Sequence, residues 1–172
     1  MRLFIAITIP KEVKDYLWEL KDEFKVLGKF NFVPKKNYHI TLKFLGEIKE
    51  EKIDHIKQRL SEIKFNSFKT SLESLGHFNY GVLWVNSYPK DSTLQLARKV
   101  DEALIEYPNN YSFNNHITLA RIKSLKNKGD FMKRLNIKIK NIKFRINSFE
   151  LMKSELSKEG SKYGVLETYS LE

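Results

Sequence analysis

The 172-residue chain contains no cysteine. That excludes disulfides, a thiolate nucleophile and any zinc site built on Cys. No apolar run approaches the roughly 20 residues needed to cross a bilayer. The opening Met1-Arg2-Leu3-Phe4-Ile5-Ala6-Ile7 is too short for the apolar region of a signal peptide and lacks a cleavage-like end. The expectation is a cytoplasmic protein with no membrane association. No linker or low-complexity stretch interrupts the chain, so residues 1–172 are expected to form a single bilobal domain. Acidic residues are outnumbered, 21 Asp and Glu against 31 Lys and Arg, which leaves a net charge of +10. Such a balance attracts polyanions such as RNA, although a Lys-rich surface also serves solubility or heat tolerance. The lysines are scattered, so charge does not locate a site.

What is present reads as alternating strands and helices. Arg2–Ile9 is β-rich, and Pro10 suits the first turn of a helix. Val13, Tyr16, Leu17, Leu20, Phe24 and Leu27 recur at helical spacing up to Gly28. Strands are expected at Phe30–Val33 and His39–Leu45, and a second helix at Glu50–Lys64. Phe68–Leu75 and Val82–Asn86 form a hairpin about Asn79-Tyr80-Gly81. Ser92 or Thr93 caps a third helix, which runs to about Tyr107 and is broken by Pro108-Asn109-Asn110. Ser112–Ile122 is a strand, Lys126–Asn136 a weak helix, and Ile137–Ile146 a half-exposed strand. Phe149–Leu156 and Val165–Leu171 end the chain as strands, with Ser157–Tyr163 as a loop. The expected class is α+β: a duplicated, two-lobed unit of mostly antiparallel sheets, with helices on the outer faces and a central cleft.

Histidine is scarce, with four in the chain. Two of them open the same phrase, His39-Ile40-Thr41-Leu42 and His116-Ile117-Thr118-Leu119. Residues two apart on a strand share a face. Each copy therefore offers an imidazole and a hydroxyl on one side and two apolar side chains on the other. Two imidazoles that titrate near neutrality can remove a proton from a nucleophile and give one to a leaving oxygen. Thr41 and Thr118 can hold non-bridging phosphate oxygens between them. Lys43 shares the parity of His39 and Thr41. Arg121 has the wrong parity and needs a bulge or strand end to turn inward. His55 falls on a helix surface and His77 near a strand end, so neither is a candidate. A zinc site from these histidines lacks the usual spacing and a placeable carboxylate, so no metal and no cofactor are expected.

The phrases Tyr38–Gly46 and His116–Arg121 resemble the two signatures of the two-histidine phosphoesterase superfamily. The branch is that of the RNA 2′,3′-cyclic phosphodiesterases, historically called 2′-5′ RNA ligases. The opening Arg2–Ala6 with Pro10, and the late Ser154-x-Leu156 with Gly160 and Tyr163, are similar too. This resemblance implies a cleft between pseudo-twofold lobes and metal-free hydrolysis of an RNA 2′,3′-cyclic phosphate to a 2′-monoester. It also implies His39 as proton donor and His116 as acceptor, with Thr41, Thr118 and Arg121 on the phosphate. Phe44 and Tyr163 are candidates for base stacking. Asn115 departs from the pattern, because Pro commonly precedes the second histidine.

Two other readings stay open at this stage. The same histidines could run 2′-5′ ligation of RNA ends, such as tRNA halves, in which case 2′-5′ linked oligonucleotides would be partners. A non-catalytic RNA-binding module would also suit the basic charge, but the chain lacks a clustered aromatic RNA-binding signature. The protein is expected to act as a monomer.

Overall fold

A computed structural model describes residues 1–109 and 111–172. Asn110, part of the expected helix-breaking turn, lies outside the described residues. The strands are β1 (Arg2–Thr8), β2 (Gly28–Phe32), β3 (His39–Glu47), β4 (Phe68–Phe78), β5 (Val82–Tyr88), β6 (Ile117–Leu125), β7 (Lys143–Ile146), β8 (Ser148–Ser157) and β9 (Gly160–Ser170). The helices are α1 (Lys11–Leu20), α2 (Ile53–Ser61), α3 (Asp91–Ala103) and α4 (Lys128–Leu135). Among the described residues no helix is long and apolar enough to cross a membrane.

The strands form one antiparallel sheet in the order β7-β4-β5-β6-β3-β1-β8-β9, with β2 also paired to β6. The order is symmetric about its centre. Each half places its His-Ile-Thr-Leu strand innermost, then a neighbour, then an outer pair. The halves meet where Ile40 pairs with Ile117. Beyond that point β3 leaves β6, and β2 takes over the same edge at Phe32↔Ala120 through Gly28↔Leu125. Loss of pairing after one bridge splays the halves into the expected two-lobed α+β fold.

The core lies on one face of this sheet, under the helices. Ile5, Ile7, Ile40, Leu83, Val85 and Ile117 point into it, with at most 1% exposure. Val13, Leu17 and Leu20 of α1 fall one helical turn apart and are buried there. Burying each side chain of this kind contributes roughly 1.5–3 kcal/mol.

Two β-bulges decide which side chains share a face with the histidines. In the pairing of β3 with β1, Ile5 faces Lys43 and Ala6 faces Thr41, so Leu42 is extra. In the pairing of β6 with β5, Leu83 faces Ala120 and Trp84 faces Thr118, so Leu119 is extra. The extra residue is the leucine of both phrases, and each bulge reverses the strand's alternation beyond it.

Several expectations change. Ile137–Ile142 is not strand; only Lys143–Ile146 pairs, with β4. Ile139 is buried, and the Lys140 amide donates to the Tyr16 hydroxyl at 2.9 Å, so the Ile/Lys alternation there reflects a packed loop. Ser157–Tyr163 is not a loop, since β8 and β9 pair down to Ser157↔Gly160. The segment 112–116 precedes β6 without joining it. Helix α3 starts at Asp91 with no side-chain cap, and Thr93 is buried inside it instead of capping it.

Candidate active site

The register at Ile40↔Ile117 decides how the two phrases meet. In an antiparallel pair the flanking positions then oppose Thr41 to His116 and His39 to Thr118. Both isoleucines are fully buried in the core. The two imidazoles and two hydroxyls therefore share the opposite face. In regular geometry the histidines are diagonal neighbours, with Cβ atoms somewhat under about 7–8 Å apart. A positive charge on His116 disfavours one on His39, as expected of rings at this range.

Each ring is oriented in the same way. His39 Nδ1 donates to the Asn37 carbonyl at 2.7 Å, and His116 Nδ1 donates to the Asn114 carbonyl at 2.9 Å. A carbonyl only accepts, so Nδ1 carries the proton and Nε2 is the unprotonated nitrogen of both neutral rings. The Thr41 hydroxyl donates to His39 Nε2 at 2.9 Å. Each ring also packs on a phenylalanine, with Phe4 5.2 Å from His39 and Phe78 5.0 Å from His116, centroid to centroid.

Burial holds both imidazoles below their ordinary pKa. For His39 the Asn37 carbonyl opposes the drop, while His116 and the Lys14 ammonium add to it. For His116 burial is opposed by the Asn114 carbonyl. Both rings are therefore biased toward the neutral, proton-accepting form.

The bulge at Leu119 turns Arg121 around. Arg121 faces Val82, two residues from Trp84, which faces Thr118. Arg121 thus lies on the face of the hydroxyls, and it is exposed, with no carboxylate partner among the described residues. The bulge at Leu42 does the opposite to Lys43, whose expected place beside His39 is corrected. Lys43 faces the core residue Ile5 and lies 2% exposed against the Asp101 carboxylate of α3. Phe44 moves to the histidine face in its stead, opposite Phe4, and stays exposed. Tyr163 stands edge-on to His39 at 5.4 Å and to Phe4 at 5.0 Å.

A hollow of about 360 Å³ lies away from the histidines, between α3 and the loop near Tyr111. Lys43 lines it, paired there with the Asp101 carboxylate.

Comparisons with known proteins show the family. Residues 7–84 match the family described as LigT-like phosphoesterase. An RNA 2′,3′-cyclic phosphodiesterase of Methanocaldococcus jannaschii is 32% identical over 178 residues, covering 98% of this chain and 100% of that protein. The chain belongs to the LigT-like RNA 2′,3′-cyclic phosphodiesterase family. A Thermus thermophilus member is 32% identical over 99% of this chain and 90% of its own length. The crystal structure of the Thermus thermophilus protein TT0787 superposes with a TM-score of 0.81 at 30% identity, covering 99% of this chain and 97% of that one. Apo LigT of Escherichia coli gives 0.81 at 25% identity, over 99% and 96%. The chain is accordingly an enzyme, a phosphoric diester hydrolase.

The departure at Asn115 has a local explanation. Its buried Nδ2 donates to the Ser87 carbonyl at 3.1 Å, which ties the approach to β6 onto β5. A side-chain bond does here what a Pro would do by stiffening the backbone. Phe4, Phe78, Trp84 and Lys14 were not singled out from sequence. For Phe4 the signal was available, because the alternation of β1 puts Phe4 and Ala6 on one face. Phe78 and Trp84 needed the β4–β5 register, in which Trp84 lies directly across from Gly76. The other histidines stay apart: His55 bonds Glu106 on the surface at 2.6 Å, and His77 Nδ1 accepts from the Tyr80 amide at 3.0 Å in a turn.

Proposed function

We propose that residues 1–172 form one catalytic domain that hydrolyses a 2′,3′-cyclic phosphate at an RNA 3′ end to a 2′-monoester. The observation that carries this is the common face of His39, Thr41, His116 and Thr118, with each Nδ1 committed to a carbonyl. Neutral His116 takes a proton from water at Nε2 as the water oxygen bonds to phosphorus. Protonated His39 gives its Nε2 proton to O3′ as the P–O3′ bond breaks. The donor and acceptor roles follow the family resemblance. Binding of the anionic phosphate supplies the charge that lifts His39 into its protonated form. Thr41, Thr118 and Arg121 contact the non-bridging oxygens and balance the developing charge. Tyr163 and Phe44 flank the His39 side, where a terminal base can stack.

The test is incubation with an RNA bearing a terminal 2′,3′-cyclic phosphate, in excess EDTA, with phosphorus NMR of the product. The expected product is a 2′-monoester, made by the native enzyme and lost in His39→Ala and His116→Ala proteins that remain folded. Full turnover by either variant would remove the two-histidine mechanism. Tight RNA binding without any turnover would favour a non-catalytic binding role.

A further inference from the structure

Both histidines lean on the carbonyl two residues upstream, yet the two carbonyls are supported differently. Asn114 is exposed, and its side chain makes no hydrogen bond among the described residues. Asn37 is only 7% exposed. Its Nδ2 donates to the Ser161 carbonyl at 3.0 Å, across 124 residues of sequence. Its own carbonyl accepts from His39 Nδ1 at 2.7 Å. Asn37 ends a single tight turn, Lys35–Asn37, closed by the Asn37 amide on the Pro34 carbonyl at 2.8 Å and the Tyr38 amide on the Lys35 carbonyl at 3.3 Å, with Lys14 Nζ of α1 donating to the Lys36 carbonyl at 3.2 Å.

Ser161 belongs to β9, two residues before Tyr163, whose ring meets the His39 imidazole edge-on at an interplanar angle of 86°. The β8–β9 hairpin thus reaches His39 by two routes: through the Asn37 amide to the carbonyl behind the ring, and through Tyr163 to its face. The hairpin turn fixes where Ser161 sits. Gly160 adopts φ +109°, which a side chain would strain, and the Ser157 hydroxyl donates to its carbonyl at 2.7 Å.

We propose that Asn37 is a positioning residue for His39, through which the β8–β9 hairpin sets the orientation of the imidazole. The inference rests on the two-histidine reading above. A ring whose Nδ1 acceptor is clamped keeps Nε2 aimed at one point, and small displacements of such an atom are costly in rate. The Nδ1–H contact to the carbonyl also favours the protonated ring, against burial and against the positive neighbours. The charged or titratable groups that face His39 are Lys14 from α1, His116 from the segment leading into β6 and the Tyr163 phenol from β9. None of these is removed by changing Asn37.

The experiment measures kcat and KM on a cyclic-phosphate RNA, together with NMR titration of the histidine rings, for Asn37→Ala and Gly160→Ala. In Asn37→Ala, kcat falls about tenfold, KM stays within about twofold, and His39 titrates lower while His116 does not move. Gly160→Ala, acting from the far side of the hairpin, shifts the same quantities in the same direction. A folded Asn37→Ala protein with unchanged kcat and an unchanged His39 titration overturns the proposal. Should that variant not fold, an unmoved His39 titration in Gly160→Ala overturns it. Full turnover by His39→Ala would instead remove the two-histidine reading, and the His39 titration in Asn37→Ala would still report whether the ring is positioned through Asn37.

Discussion

Replacing Lys43 by Met and, separately, Asp101 by Asn disturbs the two ends of one ion pair very unequally. The Lys43 side chain is 1% exposed, whereas that of Asp101 is 65% exposed. Lys43→Met removes the buried charge, keeps an unbranched apolar stem against Ile5, and leaves Asp101 to water. Its cost is expected to stay within about 1 kcal/mol. Asp101→Asn strands an ammonium beneath α3 without its counter-charge, and its cost is expected to be about 3 kcal/mol. The double variant should return close to Lys43→Met, since the charge in need of a partner is then gone. Urea unfolding followed by circular dichroism gives the midpoints, and the slopes should stay constant across the set. The same proteins test the bulge at Leu42. Lys43→Met should retain native turnover, while Arg121→Ala, on the hydroxyl face, should lose about a hundredfold. Equal destabilisation by the two single variants, or loss of turnover in Lys43→Met matching that in Arg121→Ala, would refute the reasoning that the bulge carries Lys43 to the core.

Three further outcomes follow from the same geometry. A Cβ at Gly76 would lie 2.2 Å from the Trp84 ring. Gly76→Ala should therefore cost about 1–3 kcal/mol, lower the melting temperature, and reduce turnover by shifting Trp84 beside Thr118. Asn115→Ala leaves the buried Ser87 carbonyl without its side-chain donor and should cost about 1–3 kcal/mol in urea unfolding; a variant as stable as the native protein would show that this tie is not needed. Burial lowers the folded-state pKa of both site histidines, so the unfolded chain binds protons first as pH falls through about 6.5. Stability should therefore drop from pH 7 toward pH 5. The His39→Ala/His116→Ala double variant should show a shallower drop, and identical slopes in the two proteins would contradict the burial argument.

The sequence by itself determined the elements with strong periodicity and, through two short phrases, the family. Helix α1 was legible over Lys11–Leu20 because Val13, Leu17 and Leu20 repeat at 3.6-residue spacing, a local property, but the expected run on to Gly28 breaks after Leu20 into two 3-10 turns, Lys21–Glu23 and Lys25–Leu27. The twinned His-Ile-Thr-Leu was legible because strand alternation alone separates His and Thr from Ile and Leu. Arg121 and Lys43 mark where local reasoning stops. Alternation assigned them to the wrong faces, because a bulge is a property of a strand and its partner together, and nothing in residues 39–47 announces that β1 will skip Leu42. The strand expected at residues 137–142 failed for a related reason: its alternating Ile and Lys found a loop against Tyr16 and no strand to pair with. Tertiary structure alone decided that Ile40 meets Ile117, which brings two distant histidines to one face. It also decided that Asn37 meets Ser161, a contact across 124 residues whose cause lies in the sheet order and not in either segment.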